Sequence, residues 1–106
     1  MKPDNSYKLL TTPDFKKEIK KYLPKELLNV FNRKVAYLSE NPNHPSLNTK
    51  TLVISQQRLR QLGVDEVFEF RINKGLRCIF YVKHTEKLII LAKIGNHDEV
   101  LRWFPK

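Results

Sequence analysis

The chain predicts an α+β fold: a small antiparallel β-meander with an N-terminal helical hairpin packed on one face and a short C-terminal helix. Three features carry that expectation. From Val67 onward the blocks VFEFRI, LRCIFYV and KLIILAKI repeat residues of one character at every second position, the period of a pleated strand. Between residues 13 and 40 apolar side chains fall instead at helical spacing, broken at Pro24. Asn73-Lys74-Gly75 separates the first two strand blocks with a three-residue turn whose glycine accepts the positive φ such turns need. At 106 residues, 41% of them hydrophobic, with no repeat and no low-complexity tract, residues 1–106 read as a single globular domain with one core.

Taken in order, Tyr7 to Thr11 is short and half apolar and suits a first strand at the sheet edge. Thr12 is placed to cap a helix, with Pro13 at its first position, Asp14 in its first turn, and Phe15, Ile19, Tyr22 and Leu23 as the inward stripe. Pro24 ends that helix, and a second should run from about Lys25 to Glu40 with Leu27, Phe31, Val35 and Leu38 on one side. The short connection makes the pair an antiparallel hairpin whose apolar stripe needs the meander as its partner. Asn41 to Ser46 is a loop by its prolines and asparagines. Residues 47–66 stay unassigned: Thr51 to Ile54 has strand composition, and Gln56 to Leu62 has helix formers ending at Gly63. After the last strand Gly95 lets the chain bend. Asn96 and Glu99 have the spacing of a capping box, so a helix should run from His97 to about Phe104, stopped by Pro105.

The expected register of the meander is specific. If the turn leaves Ile72 facing Leu76, Arg71 lies opposite Arg77. If the next loop is His84-Thr85-Glu86, Lys83 faces Lys87 and Arg77 lies opposite Lys93. One face then holds Phe68, Phe70, Ile72, Leu76, Cys78, Phe80, Val82, Leu88, Ile90, Ala92 and Ile94, and the other carries the cationic row Arg71, Arg77, Lys93. Like charges directly opposite cost roughly 0.2–1 kcal/mol per pair, so stability alone gives no reason to align them. An anion over that face does, although long basic side chains also fan into water from ordinary solvated sheets.

Twenty Lys and Arg against eleven Asp and Glu give a net charge of +9, which suits nucleic acid, an anionic membrane surface or an acidic protein. The longest strictly apolar run, Leu88 to Ala92, is far below the roughly 20 residues of a spanning helix. The N-terminus lacks the apolar core of a signal peptide, so the expected location is the cytoplasm. Cys78 is the lone cysteine and faces the core, which makes it an inert thiol. His44, His84 and His97 are too scattered for a metal site, and no nucleotide-binding loop, zinc-protease or serine-hydrolase signature occurs; no cofactor is expected.

What remains is a basic face bordered by one histidine and one large aromatic. Metal-free RNA cleavage requires deprotonation of a 2′-hydroxyl, stabilisation of added charge on the phosphate and protonation of the departing 5′ oxygen. Guanidinium groups on strands can cradle the phosphate, a histidine can transfer a proton near neutrality, and Trp103 can stack on a splayed base. Taken singly, His97 also suits a plain helix start and Trp103 plain packing.

The run EFRINKGLRCIFYV, the apolar strand after it and the terminal IGNHDEVLRW together resemble the RelE/ParE toxin superfamily of toxin-antitoxin modules. The helical hairpin and NHPSLNTKTL fit the same layout, so the resemblance covers most of the chain. It implies a small sheet with two helices on one face and a toxin silenced by a cognate antitoxin in a hetero-oligomer. It also implies, for the RelE-like branch, a ribosome-dependent mRNA endonuclease. By that comparison Arg77 steadies the scissile phosphate, Arg71 adds a basic group on the preceding strand, and His97 acts as general acid. Trp103 sits near a C-terminal aromatic. Lys93, Lys74, Asn96 and His44 are candidate RNA contacts. Glu69 stands where some cleaving members carry lysine, and no evident general base stands on that face. Two rivals share the scaffold: a ParE-like inhibitor of DNA gyrase without nuclease activity, and a non-catalytic member that only binds its antitoxin or RNA.

Overall fold

Burial of alternate strand residues sets the layers. The computed structural model describes residues 3–105. In order they form β1 (Lys8–Thr11), α1 (Pro13–Tyr22), α2 (Lys25–Glu40), a 3-10 turn (Pro45–Leu47), β2 (Lys50–Thr51), α3 (Gln56–Leu62), β3 (Glu66–Arg71), β4 (Arg77–Lys83), β5 (Leu88–Gly95) and α4 (His97–Trp103). The five strands make one sheet in the order β1-β5-β4-β3-β2. The meander β3-β4-β5 is antiparallel as expected, while β1 joins the β5 edge in parallel, so the sheet is mixed. Helix α1 starts where the sequence places it: the Thr12 hydroxyl accepts a hydrogen bond from the Phe15 amide at 3.2 Å, with Pro13 beginning the first turn.

One sheet face packs on the α1–α2 hairpin. Phe15, Phe31 and Leu38 from the helices meet Phe68, Phe70, Ile72, Cys78, Phe80 and Val82 from the strands. Ring centroids 6.3 Å apart for Phe31 and Phe70, and 5.3 Å for Phe68 and Phe80, make this an aromatic core. Cys78 is fully buried there, and burial pushes its thiol well above the ordinary range, so it is not a nucleophile.

The register expectation holds on one side of β4 and fails on the other. Arg71 lies opposite Arg77 and Phe70 opposite Cys78. Along β5, however, Ile79 pairs with Lys93 while Phe80 pairs with Leu91, which leaves Ala92 as the extra residue of a β-bulge. The bulge changes the parity of the strand. Ile89 and Leu91, not Leu88, Ile90 and Ala92, therefore reach the helix-side core, and Ile94 returns to it beyond the bulge. Arg77 lies opposite Gly95 and not Lys93, and Lys83 lies opposite Leu88 and not Lys87. The β4–β5 loop is one residue longer than expected, and Lys87 takes a left-handed conformation at φ 55° to close it.

Residues 47–66 resolve into cover for the second face. Asn48, in the left-handed region, turns the chain into β2, which adds to the outer edge of β3 with Lys50 opposite Glu69. Ser55 caps α3 by accepting from the Arg58 amide at 3.1 Å, and Gly63 ends it at φ 71°. Helices α3 and α4 then enclose a second cluster around Val67, Ile79, Val100 and Phe104. At the other end of the sheet the His84 ring bridges the Tyr7 hydroxyl and the Glu66 carboxylate at 2.6 Å each. Among the described residues no helix is long and apolar enough to cross a membrane.

Two outcomes follow from this packing. Phe70→Ala, at a fully buried position between Phe31 and Phe80, should lower unfolding free energy by about 3–5 kcal/mol in urea titration. Glu18 accepts a hydrogen bond from the Ile94 amide at 3.2 Å and ties α1 to β5, yet burial raises its carboxyl above the ordinary glutamate range. A raised carboxyl favours the protonated folded state, so its contribution is lost as pH rises through that range. Glu18→Gln keeps the acceptor without the charge. Its denaturation midpoint should gain on the parent as pH climbs from below the ordinary glutamate value to above it.

Candidate active site

Because Phe68, Phe70 and Ile72 face the helices, Glu69 and Arg71 are turned to the opposite face, and Arg77 joins them from β4. The apolar cover of that face reaches Val67 and Ile79 and stops short of Arg71. Helix α4 brings the remaining group. Asn96 and Glu99 form the expected capping box, Asn96 Oδ1 accepting from the Glu99 amide at 2.8 Å and Glu99 Oε1 accepting from the Asn96 amide at 3.1 Å. The Tyr22 hydroxyl donates to Glu99 Oε2 at 3.2 Å, which fastens α4 to α1. His97, the first residue of α4, is thereby held at the rim.

Arg71, Arg77 and His97 line one cleft of about 300 Å³, together with Asn48, Thr49, Lys50 and Glu69. Arg77 is mostly buried, with its Nε 3.4 Å from Glu69 Oε2, and Glu69 itself is only 8% exposed. Neither of those two atoms makes a hydrogen bond among the described residues. Two guanidinium groups from adjacent strands can engage a phosphodiester with paired N–H donors, and an imidazole at the rim can move a proton. No group of three or more His, Cys, Asp and Glu suited to a metal occurs among the described residues.

The other residues nominated from the sequence go elsewhere. Lys93 shares the cleft's face but leans on Trp103, its Nζ 4.9 Å from the ring centroid. Trp103 is half-buried against Gly95 and lines a separate cleft of about 700 Å³ beside α3. That larger cleft has Arg58 as its one ionisable side chain and lacks the chemistry of the smaller one. Asn96 is used as the α4 cap. Lys74 is exposed at the β3–β4 turn. His44 stacks on Tyr37 with centroids 4.1 Å apart and accepts from the Ser46 amide, which makes it part of the loop's scaffold.

Sequence reasoning missed Asn48, Thr49 and Lys50, which reach the cleft only because β2 pairs with β3. It also set Glu69 aside. The available signal was an acid flanked by two phenylalanines in the strand, two residues before Arg71 on the same outward face.

The fold so assembled is the RelE-like toxin fold. A chain of the archaeal RelE–RelB complex from Pyrococcus horikoshii OT3 is similar with a TM-score of 0.66 at 19% identity, covering 85% of this chain and 93% of that one. YafQ from E. coli strain BL21(DE3) gives 0.60 at 13% identity over 89% and 97% of the two chains. The YoeB dimer from Staphylococcus aureus gives 0.54 at 15% over 86% and 97%. No protein-family model and no curated protein matches the sequence. At such identities the likeness is one of fold.

The seating of α4 is open to test through Gly95. A Cβ there would come within 2.5 Å of Trp103 Cη2 and 3.2 Å of Glu99 Cβ. Gly95→Ala should therefore displace α4, lower stability by about 1–3 kcal/mol in thermal or urea unfolding, and move the His97 ring resonances in NMR spectra.

Proposed function

We propose that this chain is the toxin of a type II toxin-antitoxin module and cleaves mRNA on the ribosome without a metal. The observation that carries the reading is the convergence of Arg71, Arg77 and His97 on one cleft. The likeness in fold to RelE, YafQ and YoeB supports it. In this reading Arg77, held deep in the cleft, stabilises the charge that builds on the scissile phosphate. Arg71 and Lys50 hold the RNA backbone, with Lys74 an outlying contact at the turn. His97 protonates the departing 5′ oxygen. The chain's +9 charge favours approach to ribosomal RNA. It also favours an acidic antitoxin, by analogy with the RelE–RelB complex whose fold this chain shares.

Primer extension on mRNA in a translating extract tests this. Wild type should cut within the translated message, and Arg77→Ala and His97→Ala should each lower cutting by roughly 10²-fold or more. Absence of cuts from wild type, or undiminished cuts from both variants, sinks the reading. Inhibition of gyrase supercoiling with mRNA left intact would select the gyrase-directed alternative. Binding of single-stranded RNA should weaken by roughly tenfold or more between 50 and 200 mM salt if about three phosphates are contacted.

A further inference from the structure

The geometry points to Glu69 as the general base of the reaction, accepting the proton of the attacking ribose 2′-hydroxyl. This rests on the RNA-cleaving reading of the cleft and supplies the group that reading lacks. Glu69 is the one carboxylate lining the cationic cleft, and it is buried in the middle of β3. A negative charge placed there opposes phosphate binding, so its presence calls for a reason.

Neutralising Arg77 is not a sufficient one. Arginine–carboxylate pairs are frequently joined by short, forked hydrogen bonds. Here the approach is a single 3.4 Å contact through Nε, and neither Oε2 nor Nε is satisfied by a hydrogen bond. The contact orients the carboxylate without consuming it. Oε1 makes no hydrogen bond among the described residues either and is not among the fully buried atoms, which makes it the oxygen open to the cleft.

A second observation locates the ribose. The cationic cleft adjoins a groove of about 430 Å³ walled by Leu52, Val53, Val100 and Leu101, and Glu69, His97 and Lys50 line both. A nucleotide with its phosphate on Arg71 and Arg77 and its base in the apolar groove must pass its sugar between them. Glu69 and His97 stand at that junction. The 2′-hydroxyl proton passes to Glu69 as the 2′ oxygen forms its bond to phosphorus. The bond from phosphorus to the 5′ oxygen breaks, and that oxygen takes a proton from the imidazolium of His97. The products are a 2′,3′-cyclic phosphate and a 5′-hydroxyl, leaving Glu69 protonated and His97 neutral until both exchange with water.

Single-turnover cleavage of ribosome-bound mRNA by the full chain decides the matter. The charged and titratable groups around Glu69 are Lys50 from β2, Arg71 from β3, Arg77 from β4 and His97 from α4. Glu69→Gln should slow cleavage by roughly 10²–10⁴-fold and abolish the acid limb of the pH–rate profile. Binding of an mRNA carrying a 2′-deoxy residue at the cut should stay within about threefold of the parent's, and Glu69→Asp should recover the acid limb at a reduced rate. Cleavage by Glu69→Gln within about threefold of wild type, or a loss of rate matched by an equal loss of RNA binding, overturns the assignment. Either result with an active wild type removes Glu69 alone from the mechanism. A wild type that cuts no RNA removes the nuclease reading and this assignment with it.

Discussion

The register of β3 against β4 is the constraint on which everything else in this structure depends. Phe68, Phe70 and Ile72 must share the helix-side core with Cys78, Phe80 and Val82, because a slip of one residue would turn these apolar side chains out of the core. Glu69, Arg71 and Arg77 have no choice but the other face. The register that buries the phenylalanines is the same one that sets two arginines directly across from each other, at a cost of roughly 0.2–1 kcal/mol. Hydrophobic burial outweighs that cost several times over, since a single buried phenylalanine contributes about 1.5–3 kcal/mol. The core therefore imposes the cationic pair.

Coverage of that second face is uneven, and the cleft lies where the cover ends. Along β3 the outward positions pass from Val67, buried under the α3–α4 cluster, through the buried acid Glu69 to exposed Arg71. The apolar end holds α4 in place, and the polar end is left open to a ligand. Arg77 and Glu69 sit at the transition, where nearby protein lowers the effective dielectric and strengthens the field of each charge. A fully solvated sheet face would carry the same charges with much weaker effect.

The bulge at Ala92 matters as much as the pairing. Without it, the register set by the four-residue loop would carry on to place Lys93 across from the buried Cys78 and Ile94 across from Arg77. With it, Lys93 is set opposite Ile79 and against the Trp103 ring, and Gly95 takes the place beside Arg77. Only a residue without a side chain lets the indole lie so close, and the close fit sets where α4 starts and hence where His97 stands. The row of three cations expected from a regular meander becomes two arginines with an imidazole at their edge. Alternation in a sequence is blind to one inserted residue, since LIILAKI is apolar at almost every position and offers no phase to read.

By itself the sequence determined the helical hairpin, the three long strands, the Asn96 cap and the opposition of Arg71 and Arg77. Each is set by local chemistry: side-chain period, turn residues, capping groups and the span of a short loop. Only the tertiary structure decided the bulge, the pairing of β2 with β3, the docking of Trp103 on Gly95 and the meeting of Glu69 with Arg77 in a shared cleft. Those depend on which distant segments come to lie together as two faces of one sheet are covered to different extents. No local pattern encodes that, because the deciding free energy belongs to contacts between residues far apart in the chain.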